Sequence, residues 1–259
     1  MSDTASALFD VTGRHVLVTG GAKGIGAMIA RGFHAAGAVV YVSGRSADAA
    51  AALVDELGER AVALPADVST QQGCVDLAAA LAEHTDRLDV LVNNAGTTWG
   101  ADLEEYPDSA WDKVLDLIVK APFHLTVACL PLLRAAADAD RPARVINIGS
   151  VDGMHVPMFE SYAYSTSKAG VHQLTRHLGK RLAAEHITVN AIAPGLVPSK
   201  MTAFLLSGDG EEQLAAGIPL GRVARPDDLA GAAIFLASPA ASWITGAVLP
   251  VDGGMVTLQ

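Results

Sequence analysis

The chain has 259 residues, of which 51% are hydrophobic and 18% charged, so one large α/β domain or two small domains can bury a sizeable core. Its formal net charge of −10 argues against nucleic acid or an anionic membrane as the main partner. The two cysteines, Cys74 and Cys129, cannot form a disulfide framework or a clustered zinc motif, and we expect no metal site. The first ten residues lack a basic stretch followed by an apolar core, and the apolar runs are too short to span a bilayer. We therefore expect a soluble, cytoplasmic protein.

Short β-rich runs alternate with amphipathic or alanine-rich stretches along the chain. The predicted strands are residues 15–19, 39–43, 61–65, 89–93, 144–148, 188–192 and 247–251. The predicted helices lie near residues 25–36, 47–57, 70–83, 109–137, 161–184 and 226–237. Continuous apolar strands suit a parallel sheet buried on both faces, and their alternation with helices gives a doubly wound sheet. We predict an α/β fold with one Rossmann-type domain over residues 1–259, built on about seven strands with helices on both faces.

The longest irregular stretch, residues 194–225, follows the sixth predicted strand. Ligands bind at the carboxyl edge of such sheets. We therefore predict that residues 195–225 form a lid over a substrate.

A glycine-rich turn, Thr19-Gly20-Gly21-Ala22-Lys23-Gly24-Ile25-Gly26, joins the first strand to the first helix. Glycines let the backbone approach a pyrophosphate closely, and the helix N-terminus offers free N–H groups and a positive dipole end. The spacing is Gly-x-x-x-Gly-x-Gly, and a simple turn is the alternative interpretation. The position between strand and helix predicts dinucleotide binding. The predicted contacts in this turn are Gly20, Lys23, Gly24, Ile25 and Gly26.

Tyr164 and Lys168 are four residues apart on a predicted helix, so they share one face of it. A nearby ammonium group would lower the phenol's pKa from about 10 toward neutrality, where general acid–base catalysis works best. A solvated helix face is the alternative.

These motifs resemble those of the short-chain dehydrogenases/reductases. The resemblance also includes Asn93-Asn94-Ala95-Gly96, Ser150, Pro194-Gly195 and Val251-Asp252-Gly253-Gly254, and it covers nearly the whole chain. The ketoacyl reductase-like members are the most similar in character. The resemblance implies hydride transfer between a nicotinamide and a carbonyl or secondary alcohol, and a homotetramer. The resemblance also implies the roles of three residues. Ser150 would bind the substrate's carbonyl oxygen and Tyr164 would supply the proton. Lys168 would lower the tyrosine pKa and hold the nicotinamide ribose.

The end of the second strand favours NADP over NAD. NAD-binding sheets usually carry an acidic residue there, whereas this chain reads Val42-Ser43-Gly44-Arg45. Arg45 offers a planar fork to a 2′-phosphate, and Lys23 can add a second charge. The alternative is that both are solvated surface cations.

The remaining predicted cofactor contacts come from the resemblance alone. It implies that Asp67 and Val68 flank the adenine, although Asp67 or Ser69 could instead cap a helix. Three residues would line the ribose: Asn93, Ala95 and Gly96. Four would meet the nicotinamide carboxamide: Pro194, Gly195, Val197 and Ser199.

The substrate pocket is expected between residues 155–161 and 200–217. Its apolar side chains would be Val156, Pro157, Met158, Phe159, Phe204, Leu205 and Leu206. Ordinary core or subunit contact is the alternative for them.

Ile118 departs from the family pattern, which has an asparagine there. In the family that residue sits at a helix distortion and orders a water linked to the lysine, which an apolar side chain cannot do. We expect slower catalysis or a relay built differently. Two alternatives therefore stay open: an NAD-dependent sugar or alcohol dehydrogenase, and a catalytically impaired, cofactor-sensing binding protein.

Overall fold

The strands form one parallel sheet. The computed structural model describes residues 6–157, 159–199, 202 and 210–258. In these ranges the strands are β1 His15–Thr19, β2 Val39–Gly44, β3 Ala61–Pro65, β4 Val90–Asn93, β5 Ala143–Ile148, β6 Ile187–Pro194 and β7 Val248–Val251. Their order is β3-β2-β1-β4-β5-β6-β7, with every neighbouring pair parallel. The central strands β4, β5 and β6 are buried along their whole length, as their continuous apolar sequences predict.

Helices cover both faces of the sheet, which confirms the predicted fold. They are α1 Gly24–Ala35, α2 Ala47–Leu57, α3 Gln71–Ala82, α4 Asp108–Leu115, α5 Ala121–Ala136, α6 Tyr162–Leu182, α7 Gly210–Ala216 and α8 Pro226–Ala237. Helices α1, α2 and α8 share one hydrophobic core with the sheet, and α3, α5 and α6 share another. The cap of α3 is Thr70, whose hydroxyl accepts from Gly73 N–H, so the interpretation of Asp67 or Ser69 as the cap is wrong.

The predicted helix 109–137 is interrupted. A single π-helical turn, Asp116–Lys120, separates α4 from α5, and Ile118 lies in this turn. Periodicity alone predicts one helical stretch here, because the extra residue of a π turn leaves hydrophobic periodicity nearly intact. The predicted distortion at Ile118 is present. Helix α7 is a second departure, since its residues were expected to be irregular.

Asp108–Ala136 is long and apolar enough, by length and composition, to cross a membrane. Core helices of globular proteins meet the same criterion. Here α5 buries Leu125, Cys129 and Leu133 against α3 and the sheet. We interpret this stretch as core helices interrupted at the π turn.

The direction of strand addition reverses at β1: β2 and β3 lie on one side of it, and β4 to β7 lie on the other. At such a point the loops that leave the carboxyl ends of the strands diverge and open a crevice. The glycine turn leaves β1 here, and the segment containing Ser150 leaves β5 on the same edge. The fold thus brings together motifs that lie far apart in the sequence.

Candidate active site

The glycine turn after β1 is held in a shape that side chains would block. Gly20 has a φ of +60° and Gly24 a φ of +52°, values that glycine adopts without strain. A Cβ on Gly20 would lie 2.9 Å from Asn94 Nδ2, and one on Gly26 only 2.3 Å from the Gly20 carbonyl oxygen. Gly26 therefore lets α1 pack against the turn and is not among the residues that line the cleft.

Asn94 fixes this turn from the loop that directly follows β4, the strand beside β1. Its Nδ2 donates to the carbonyl oxygens of Thr19 (2.8 Å) and Gly20 (3.2 Å). Asn93, which was predicted to line the ribose, instead donates through Nδ2 to Asn147 Oδ1 inside the sheet (2.9 Å). Asn94 lines the cleft, whereas Asn93 does not, so the predicted contact of Asn93 with the ribose stays a prediction. Adjacent strand residues point in opposite directions, so only one of two consecutive asparagines can reach the turn.

The cleft consists of two adjoining cavities of about 290 and 350 Å³. The predicted contacts that line the first are Gly20, Lys23, Arg45, Asp67, Val68, Ala95 and Gly96. Those that line the second are Gly20, Lys23, Gly24, Ile25, Ala95, Gly96, Ser150, Tyr164, Lys168, Pro194, Gly195, Val197 and Ser199. Every predicted site residue except Gly26 and Asn93 thus lies on this cleft.

The residues at the first cavity fit a phosphorylated adenosine. Lys23 and Arg45 are both exposed on its wall. Hydrogen bonds from Ser69 and the charge of Arg45 hold the pKa of Asp67 below its usual range, so its carboxylate stays available to accept. Ser43 Oγ, in the same wall, is buried and lacks a hydrogen-bond partner among the described residues. The two cations suit a phosphate, and Asp67 suits an amino donor.

Ser150 and Tyr164 meet in the wall of the second cavity. Ser150 follows β5 and begins a short turn, where its Oγ accepts from Asp152 N–H (3.1 Å). Burial raises the pKa of Tyr164 to about 12, while a hydrogen bond with Ser150 opposes the increase and the Asp152 carboxylate adds to it. The phenol is therefore protonated at neutral pH in this structure.

Lys168 lies near the Tyr164 ring and is hydrogen-bonded to the backbone of β5. Lys168 Nζ lies 5.4 Å from the centroid of the Tyr164 ring and donates to the carbonyl of Ile148 (2.7 Å). Burial lowers the pKa of Lys168 itself to about 8, with Asp152 opposing that shift. Burial is the largest influence on the pKa of the phenol here, and the lowering of that pKa expected from Lys168 stays a prediction.

Only some residues of the expected substrate pocket lie within the part of the chain that the structure describes. Val156 and Phe159 are exposed large apolar side chains, as expected for a pocket wall before substrate binds. Met158, Phe204, Leu205 and Leu206 lie outside the described residues. Thr202 was missed by the sequence analysis. It lines the cleft, and its Oγ1 donates to the Val197 carbonyl (2.7 Å) and accepts from Ser199 N–H (2.9 Å).

Known proteins resemble this chain over almost its whole length. The family model described as Enoyl-(Acyl carrier protein) reductase matches residues 20–256. The rhamnolipids biosynthesis 3-oxoacyl-[acyl-carrier-protein] reductase of Pseudomonas aeruginosa is 50% identical, over 95% of this chain and 97% of its own. The galactitol 2-dehydrogenase (L-tagatose-forming) of Cereibacter sphaeroides is 39% identical, over 95% and 96%.

Among solved structures, the Pseudomonas aeruginosa RhlG/NADP active-site complex superposes with a TM-score of 0.93 at 49% identity. The match covers 96% of this chain and 98% of that one. Identity at this level over nearly complete chains, with the glycine turn and Ser150, Tyr164 and Lys168 on one cleft, leaves a single assignment. The chain belongs to the short-chain dehydrogenase/reductase family.

Proposed function

We propose that this protein is an NADP(H)-dependent oxidoreductase that reduces the carbonyl group of 3-oxoacyl thioesters. One observation carries the proposal: Ser150, Tyr164 and Lys168 line the same cleft as the glycine turn and its two cations. The relatives named as 3-oxoacyl-[acyl-carrier-protein] reductases support the substrate class. The Pseudomonas complex with NADP supports the cofactor.

The bound nicotinamide supplies the hydride, and the chain's own residues supply position and a proton. Ser150 donates a hydrogen bond to the substrate carbonyl oxygen and holds it beside Tyr164. The phenol, protonated at neutral pH, gives its proton to that oxygen as negative charge develops on it. Lys168 holds the nicotinamide ribose hydroxyls and stays mostly charged at neutral pH, since its pKa is about 8.

An NAD-dependent sugar or alcohol dehydrogenase is not favoured. The carboxylate expected at the end of β2 is replaced by Gly44 and Arg45, and Arg45 lines the cavity that fits adenosine. The galactitol 2-dehydrogenase shows that sugar-alcohol substrates occur among relatives, but at lower identity. The impaired, cofactor-sensing alternative is tested below.

We further propose a cytoplasmic homotetramer with a lid over residues 195–225. The exposed side chains of Phe123 and Val127 on α5 offer an apolar surface that a subunit could cover. The position of Gly195, Val197, Ser199 and Thr202 on the cleft supports the lid, since they begin the segment that would close over substrate.

Replacement of Tyr164 by Phe tests the proposed chemistry. The variant keeps the ring and loses only the proton donor, so kcat for NADPH-dependent reduction of a 3-oxoacyl thioester should fall by about 10²–10⁴-fold. NADPH affinity should stay unchanged. The loss of nicotinamide absorbance measures turnover, and fluorescence titration measures binding.

The matched control is Tyr162→Phe. Tyr162 begins the same helix, but its ring packs against Tyr106 with centroids 5.3 Å apart, outside the cleft lining. The Tyr162→Phe variant should retain turnover. Substantial activity in Tyr164→Phe would refute the assigned role. NADPH binding by the wild type with no turnover of ketones, ketoacyl thioesters or quinones would instead favour the cofactor-sensing protein.

A further inference from the structure

The short segment that carries Ser150 has a glycine near each end. Gly149 directly precedes the serine, and Gly153 ends the 3₁₀ turn Val151–Gly153 that follows it. Neither glycine has a φ in the left-handed region, so the backbone conformation does not require glycine at either position. The reason for both glycines therefore lies in what packs against them.

The ring of His172 occupies the space that a side chain on either glycine would need. A Cβ on Gly149 would overlap Nε2 of this ring and lie 2.7 Å from its Cδ2, and a Cβ on Gly153 would lie 2.9 Å from its Cε1. The Gly153 Cβ would also lie 2.6 Å from the α6 backbone at Lys168. His172 is only 4% exposed. One edge of its buried ring thus lies against both ends of the segment that carries Ser150.

His172 is the third of three α6 side chains that face this segment. Tyr164, Lys168 and His172 follow one another at intervals of four residues, so they share one face of the helix. Lys168 Nζ donates to the carbonyl of Ile148, the last residue of β5 (2.7 Å). Tyr164 and Ser150 lie in the wall of one cavity, which His172 does not line. The ring therefore supports the segment from behind the reaction centre.

Hydrogen bonds hold the segment to β6 and to itself. Gly149 N–H donates to a β6 carbonyl (2.7 Å), and Gly153 N–H donates to the carbonyl of Ser150 (3.1 Å). Neither of these two bonds crosses to α6. The packing of His172 against both glycines, with the Lys168 hydrogen bond at one end, therefore sets the distance between the segment and the helix.

The one buried polar atom of the His172 ring edge makes no hydrogen bond. Nε2 has no partner among the described residues, and a buried nitrogen without a partner costs free energy. Burial also lowers the pKa of the ring to about 4, so the ring is neutral at neutral pH. What the ring contributes here is its flat shape between two glycines, and not a proton.

We propose that His172 is a positioning residue whose ring fixes the distance between the Ser150 hydroxyl and the Tyr164 phenol. In the proposed function, on which this inference rests, both groups act on one carbonyl oxygen of the substrate. The hydroxyl moves with the segment, since Ser150 Oγ accepts from Asp152 N–H of the same turn (3.1 Å). Displacement of a reacting group by about 1 Å can lower turnover about 10²-fold.

His172→Ala tests the proposal by removing the ring. The segment should then shift, so kcat for NADPH-dependent reduction of a 3-oxoacyl thioester should fall by about 10–100-fold. NADPH affinity, measured by fluorescence titration, should stay unchanged, because the ring does not line the cleft. The matched control is Leu182→Ala, which removes a buried side chain at the other end of α6. Both variants should lose stability in denaturant unfolding, but the control should keep the wild-type kcat.

A double-mutant cycle shows whether His172 acts through Ser150. In a Ser150→Ala background the hydroxyl is already absent, so the addition of His172→Ala should lower kcat by less than about threefold. A merely structural ring would cost the same factor in both backgrounds. An equal loss in the two backgrounds, or a folded His172→Ala with the wild-type kcat, would overturn the proposal. If His172→Ala does not fold, His172→Gln takes its place in the cycle and should lower kcat by about three- to tenfold, again only when the Ser150 hydroxyl is present.

Hydrogen exchange separates this proposal from the proposed function. If the wild type turns over no carbonyl or alcohol, the proposed function fails, but the support of the segment can still be measured in the free protein. The backbone N–H groups of Gly149, Gly153 and Met154 are all hydrogen-bonded to carbonyls. Their exchange should be faster in His172→Ala than in the wild type, and unchanged in Leu182→Ala. Wild-type exchange rates in His172→Ala would show that the ring does not hold the segment.

Discussion

Arg45 and Lys23 approach the adenosine end of the cleft from two different segments, the loop after β2 and the turn after β1. Both are exposed, so water and salt weaken their attraction for an anion. A guanidinium nonetheless matches a phosphate with two parallel hydrogen bonds, which a solvated point charge cannot do. The discrimination between NADP and NAD should therefore depend on Arg45 more than on total charge.

Arg45→Gln should weaken NADPH binding about tenfold or more, because a charge-assisted hydrogen bond contributes about 1.5–3 kcal/mol. NADH binding should change little, since its ribose carries no phosphate. Isothermal titration with both cofactors measures the effect. Arg31→Gln is the matched control: it removes an exposed arginine of α1 that is paired with Glu56, and it should leave both affinities unchanged. Equal or tighter binding of NADH by the wild type would contradict the assignment.

Elements predicted from periodicity and motifs agree well with the structure. The bounds of α2 and α8 equal the predicted ranges, and most site residues lie at strand ends, where parallel topology brings loops together. What the sequence could not give depends on tertiary contacts. Only the packed structure decides which of Asn93 and Asn94 faces the turn, and the effect of Lys168 on Tyr164 depends on burial and distance, which spacing along a helix does not fix. Thr202 carries no pattern and gains its role from the fold of the loop.

The π turn shows how one element combines packing and function. Ile118 is buried in a small cluster with Val114, Ala163 and Val171, which joins α4 to the helix carrying Tyr164. An asparagine there could order a water, but it would place an amide in apolar surroundings. Stability and proton relay therefore make opposite demands on this residue.

Ile118→Asn should raise turnover, because it restores the amide that the family uses, and should lower the free energy of unfolding by roughly 2–4 kcal/mol. Steady-state kinetics and denaturant unfolding measure the two effects. Ile118→Val is the control: it keeps the site apolar, so turnover should not change, and stability should fall by only about 0.5–1.5 kcal/mol. Unchanged turnover in Ile118→Asn would show that the amide is dispensable in this protein.

At the scale of the whole molecule, acid affects stability through more than one kind of group. Carboxylates with lowered pKa values, such as Asp228 at about 2 in its pair with Arg222, lose their contribution only in strong acid. The contribution of His172 to stability changes at a higher pH than that of these carboxylates. Burial lowers its pKa from 6.5 to about 4, so the unfolded chain takes up a proton between these values that the folded chain refuses. The contribution of His172 is fully present above pH 6.5 and is lost as the pH falls to 4.

Replacement of His172 by Gln should therefore flatten part of the acid dependence of unfolding. The wild type should lose up to about 3 kcal/mol between pH 6.5 and 4 through this one group, and the variant should not. Gln changes the packing against Gly149 and Gly153, so the informative quantity is how the difference in stability between the two proteins varies with pH, measured by urea unfolding at each pH. His177→Gln, on the exposed side of the same helix, should keep the wild-type dependence. A constant difference between His172→Gln and the wild type from pH 7 to 4 would mean that the buried ring gains its proton without opening the fold.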